Sequence, residues 1–109
     1  MRIESVPFGT TDWSRLPETE HPGESGTAYW RTIEQGNIRV RMVRYSPGYL
    51  ADHWCSRGHV LLVLTGELIT ELQDGSAHIL RPGMSYHVSS DLVPHRSRTE
   101  TGATLFIVD

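Results

Sequence analysis

Apolar and polar residues alternate in short runs along most of this chain, and nearly every run ends at a glycine or proline. Ile38, Val40 and Met42 alternate with Asn37, Arg39 and Arg41, the period-two signal of a half-buried strand over 38–45. That pattern places Arg39 and Arg41 on the outer face. The turn-forming set Glu34-Gln35-Gly36-Asn37 separates this strand from one expected over 28–33. Further strands are expected over 51–55, 59–64, 67–72, 77–80, 84–88, 95–98 and 103–108, with breaks such as Ser46-Pro47-Gly48, Thr65-Gly66 and Asp74-Gly75 between them. No segment holds a helical period beyond a turn or two. The pattern predicts an all-β barrel or sandwich.

Residues 1–27 show no sustained period and are rich in Pro, Gly, Thr and Glu. Thr11 or Asp12 can cap a short helical turn at Trp13, which Pro17 and Pro22 keep short. The chain therefore divides into an N-terminal arm, 1–27, and a barrel domain, 28–109. The arm is expected to lay Trp13 and Leu16 on the barrel or on a neighbouring subunit.

Composition narrows the classes of function. All ten basic residues are arginine, against thirteen acidic ones, for a net charge of −3. Without lysine there is no Schiff-base amine, no pyridoxal phosphate anchor and no Walker-type phosphate loop. A mildly acidic chain with scattered arginines argues against nucleic acid as a partner. The longest apolar run, Val60 to Leu64, falls far short of the roughly 20 residues of a membrane span. The single cysteine, Cys55, suits a reducing compartment, and the N-terminus lacks a signal-peptide pattern, so a cytoplasmic protein is expected.

The candidate chemistry lies in histidines and that cysteine. On a regular strand His53 and Cys55 leave the same face, with Trp54 opposite. His59 follows the turn at Gly58, and His95 opens another strand after Pro94. Three imidazoles and a thiol can thus converge inside a barrel, and these are donors that Zn, Fe, Ni or Cu prefer. Tyr86 is a candidate pocket acid. Arg41, Arg44, Arg96 and Arg98 suit a carboxylate if they face a cavity. Asp52, His21, His78 and His87 read as surface residues.

These residues carry a family resemblance. Gly48, then His53-Trp54-Cys55, His59 and Gly66 follow the spacing of the first motif of the cupin superfamily, with Cys55 where a second His belongs and His59 where Glu belongs. Asp74-Gly75, Leu80-Arg81-Pro82-Gly83 and Pro94-His95-Arg96 resemble the second motif. Asp52-His53-Trp54-Cys55 with Gly83-Met84-Ser85-Tyr86 is similar to a small single-domain group described by a D-H-C-W-type motif.

The resemblance implies a single cupin barrel, a double-stranded β-helix or jelly roll, with His53, Cys55, His59 and His95 at the positions of metal ligands. It also implies a divalent transition metal of the Zn, Fe, Ni or Mn class, a small-molecule ligand in the barrel and a homodimer. The expected function is a metal-dependent enzyme of oxygenase, isomerase or lyase type, with Tyr86 catalytic. Two other readings stay open: a non-catalytic small-ligand or metal-binding module, and a thiol function at Cys55 with a flanking histidine as base.

Overall fold

The computed structural model describes all residues, 1–109. Nine strands form: β1 (Thr19–Pro22), β2 (Thr27–Gln35), β3 (Ile38–Tyr45), β4 (His59–Gly66), β5 (Leu68–Leu72), β6 (Ala77–Leu80), β7 (Ser85–Val88), β8 (His95–Arg98) and β9 (Ala103–Val108). They build a six-stranded sheet ordered β1-β2-β3-β9-β4-β7 and a three-stranded sheet ordered β6-β5-β8, with every named pair antiparallel. No α-helix is present, and no helix is long and apolar enough to cross a membrane. The only helical element is a single 3-10 turn, Trp13–Arg15, capped by Asp12 as its sequence predicts.

The core lies between the sheets and follows strand parity. Leu61 and Val63 of β4, Leu105 and Ile107 of β9, Val43 of β3 and Leu68 of β5 are all buried. Apolar side chains from both sheets interdigitate there, and their removal from water is the main driving force for closing the barrel. The β4–β5 connection depends on one glycine. Gly66 sits at φ +76°, and a Cβ there would lie 2.1 Å from the carbonyl oxygen of Gly102.

Three expectations are corrected. The period of β3 is right but its facing is inverted, because Arg41 is buried beside Val43 and Tyr45. Ile38, Val40 and Met42 turn outward instead. The outer face is itself partly covered: Trp13 packs T-shaped on Phe106 at 6.2 Å, and Phe106 pairs with Met42. A strand with apolar cover on both sides alternates without revealing which side is the interior.

The expected strand over 51–55 is an irregular loop, fastened to the barrel by isolated bridges of Leu50 to Arg98 and Cys55 to His95. Within the first 27 residues the structure also contains β1, which the aperiodic sequence did not signal and which pairs with β2. On β1, His21 is not a bare surface residue but stacks on Trp30 with ring centroids 3.7 Å apart.

Candidate functional site

Strand parity also builds the site. On β4 the inward row that holds Leu61 and Val63 begins with His59, and on β7 the partner row carries Tyr86. On β9 the row Ala103, Leu105, Ile107 continues inward to Asp109. On the smaller sheet Leu68, Thr70 and Leu72 of β5 alternate inward, and His95 of β8 stands opposite Leu72. His59, Thr70, Tyr86, His95 and Asp109 all line one cavity of about 820 Å³ at an end of the barrel. Leu72, Leu80, Val88 and Val93 supply much of its apolar wall.

Two imidazoles meet there. The His59 and His95 rings lie T-shaped at 4.9 Å, and their side chains are almost fully buried. His59 Nε2 is 2.8 Å from the Tyr86 hydroxyl, and its Nδ1 is 3.6 Å from the Asp109 carboxylate. The carboxylate favours the proton on Nδ1, which leaves Nε2 to accept from the Tyr86 O–H. On His95, Nδ1 lies 2.9 Å from the Val93 carbonyl oxygen. A carbonyl only accepts, so Nδ1–H donates and the neutral ring presents an Nε2 lone pair. That Nε2 is buried and unpartnered, as are Thr70 Oγ1 and His59 Nδ1.

Burial sets the protonation of this pair. It pushes His59 down to about 4, and the neighbouring His95 acts in the same direction against the pull of Asp109. Burial drives the Tyr86 phenol well above its ordinary value, with the charges of Tyr45 and Cys55 adding to the effect. At neutral pH the pair is therefore an uncharged phenol donating to an uncharged imidazole.

Behind His59 lies a charge cluster that the sequence reading missed. Arg39 and Arg41 both donate to Asp109, at 2.8 and 3.0 Å, and Arg57 approaches at 3.6 Å. Burial alone would raise the Asp109 carboxyl; the Arg39 hydrogen bond and the charges of Arg41, Arg39 and Arg57 outweigh it and hold the group below the usual range. Arg41 also stacks on Trp30, 4.3 Å from the ring centre. The signals for Asp109 and Thr70 were in the parity of their strands, since each continues a row of apolar inward positions.

The expected ligand residues are only partly brought together. His59 and His95 converge. Cys55 is directly bridged to His95 through both backbone hydrogen bonds, at 2.8 and 2.9 Å, which places the thiol on the same side of the ribbon as the imidazole. His53 stands apart: its side chain is 74% exposed and bonds Asp52 at 2.6 Å. The irregular loop breaks the strand alternation that would have aimed His53 inward. Asp52, His78 and His87 are exposed, as expected, and the two histidines also line the cavity.

Nowhere in the chain do three His, Cys, Asp or Glu side chains converge to hold an ion. The one nearby carboxylate is already bound by two guanidinium groups, whose positive charge opposes a cation. As placed, these residues do not form a metal centre.

No protein-family model and no curated protein matches the chain. Solved structures do. A cupin-like protein from Thermotoga maritima is similar at 21% identity and a TM-score of 0.66, covering 77% of this chain and 68% of that one. A sugar phosphate isomerase from a cupin superfamily, from Silicibacter pomeroyi, is similar at 17% identity and a TM-score of 0.68, over 92% and 74% of the two chains. An Fe(II)-HppE structure with an alternative substrate is similar at 15% identity and a TM-score of 0.76, over 94% of this chain and 60% of that one. With the two antiparallel sheets and the cavity between them, these likenesses show that this chain folds as a cupin barrel.

Proposed function

We propose that this barrel binds a small organic molecule in its interior, against the face made by His59, Tyr86 and His95. The observation that carries the reading is the convergence of two buried imidazoles and a phenol on a cavity of about 820 Å³. Small-molecule sites occupy clefts of roughly 300–1,000 Å³ with mostly apolar walls and a few placed polar groups.

The protonation states favour binding over proton shuttling. A general base works best with a pKa near the operating pH. His59 at about 4, facing a phenol pushed upward, keeps its proton balance fixed at neutral pH. Tyr86 is accordingly read as a group that shapes and contacts the ligand.

A metal-dependent enzyme of oxygenase, isomerase or lyase type is the second reading. The buried, unpartnered Nε2 of His95, with Cys55 on the same side, favours it. The Fe(II) in the HppE structure lends support from a similar fold. A Zn, Fe, Ni or Mn ion would need the thiol and both imidazoles to draw together. Metal analysis of untagged protein, with Cys55→Ser and His95→Ala beside it, separates the two readings.

The binding reading is tested with anilinonaphthalene sulfonate, an amphiphilic fluorophore whose aromatic rings enter apolar cavities. It should bind one per chain, and Val88→Trp, which puts an indole into the cavity beside His59, should weaken the signal in a protein that still folds. Fluorescence indifferent to Val88→Trp refutes interior binding.

A further inference from the structure

We infer that the occupant of this cavity is an uncharged molecule with an apolar body and a hydroxyl group at its buried end, held by Thr70 and His95. The inference rests on the interior-binding reading and adds the chemical class of the ligand.

Thr70 and His95 are diagonal neighbours on one inward face of the smaller sheet. Thr70 pairs with Ser97 and Leu72 pairs with His95 across β5 and β8. Diagonal cross-strand neighbours of this kind lie about 7–8 Å apart, close enough for one small group to touch both. Both residues line the cavity, both are at least nine-tenths buried, and each has a polar atom with no partner, Thr70 Oγ1 and His95 Nε2. Buried polar atoms in folded proteins are nearly always satisfied by protein, water or ligand. Two orphans side by side on a cavity wall describe the other half of a recognition site.

The hydrogen-bonding senses select the partner. In the neutral ring the Val93 carbonyl fixes the His95 proton on Nδ1, so Nε2 accepts. The partner there must donate. The Thr70 hydroxyl can donate to the oxygen of the same group. A ligand hydroxyl answers both atoms at once: its O–H goes to His95 and its oxygen accepts from Thr70. A ketone or ether satisfies Thr70 alone, and a carboxylate sets its lone pairs against that of His95. The Arg39 and Arg41 guanidinium groups do not alter this choice, since both bond Asp109 and neither lines the cavity. The remaining wall, with Leu72, Leu80, Val88 and Val93, suits a hydrocarbon body.

Three probes of one shape test the class: cyclohexanol, cyclohexanone and methylcyclohexane, each competing with anilinonaphthalene sulfonate in the intact protein with chelator present. Cyclohexanol should bind about tenfold more tightly than cyclohexanone, the effect of one hydrogen bond of about 1.4 kcal/mol. Thr70→Val keeps the side-chain shape and should weaken both oxygenated probes while leaving methylcyclohexane unchanged. His95→Phe should erase the difference between alcohol and ketone, and circular dichroism checks that both variants fold. If the fluorophore binds inside but the three probes compete equally, the hydroxyl assignment fails and interior binding stands. If Val88→Trp leaves fluorophore binding unchanged, both fail. Stoichiometric Zn(II) that displaces cyclohexanol and shifts the His95 ring resonances also overturns the assignment, because the lone pair then belongs to a metal.

Discussion

Arg39 grips Asp109 at two points, with Nε 2.8 Å from one carboxylate oxygen and Nη2 3.0 Å from the other, although the two residues are 70 positions apart. The pair joins β3 to the chain just beyond β9, and Arg41 adds a third bond to the same carboxylate. The Asp109 side chain is only 1% exposed, so the cluster is a buried ionic network at the back of the cavity.

Removing one partner of a buried ion pair leaves the others charged and uncompensated. Asp109→Asn should therefore cost roughly 3–5 kcal/mol, measured as a shift in urea midpoint. A loss under 1 kcal/mol would mean that solvent reaches the arginines and the network is not closed.

Acid should weaken the fold over a defined window. His59 takes up a proton near its ordinary value in the unfolded chain but only at about 4 when folded. Its folded pKa is depressed, so falling pH favours the unfolded state from about 6.5 downward, with a total near 3 kcal/mol by pH 4. The same titration in His59→Gln should be flatter across that window. Asp109 contributes only below it, since its carboxyl is held below the usual range and loses its bonds when protonated. Parallel curves for the wild type and His59→Gln would show that His59 is solvated.

His53 gives a contrasting case. Exposed and bonded only to Asp52, it should tolerate replacement, with His53→Ala changing stability by no more than about 0.5 kcal/mol. Fluorophore binding in the cavity should also be unchanged. Loss of interior binding in His53→Ala would show that the loop carries His53 inward when a ligand is bound.

Gly66 should be close to irreplaceable. Its left-handed backbone and the 2.1 Å approach of the Gly102 carbonyl oxygen leave no room for a Cβ. Gly66→Ala forces the β4–β5 connection away from the start of β9 and should lower the melting temperature by well over about 4 °C, the shift that roughly 1 kcal/mol produces in a domain this size. An unchanged melting curve would contradict the contact.

Much of this architecture was legible because strand alternation and glycine breaks are local signals. The ranges expected for β3, β6, β8 and β9 coincide with those found. What failed did so for identifiable reasons. Charge ordinarily marks solvent, which points Arg41 outward, whereas Asp109, just beyond the remote β9, and Trp30 satisfy it inside. Period two carried through residues 51–55 points His53 inward, but there the chain pairs only at its ends. His59 and His95 were found by spacing, and Thr70 was passed over because a threonine among apolar strand residues carries no chemical mark until its hydroxyl is seen to lack a partner.

The loop over 50–55 has a consequence for solubility. β8 borders the smaller sheet, and its outward backbone groups would stand open to another chain. Instead, Ala51 donates to Ser97, Cys55 exchanges both bonds with His95, and Thr99 donates to Tyr49. The loop occupies the place of a fourth strand without being one. An unpaired strand border is a template for intermolecular β-pairing. Shortening this loop, or placing proline at Cys55, would uncover that template, so aggregation rather than unfolding should be the first visible fault of such a variant.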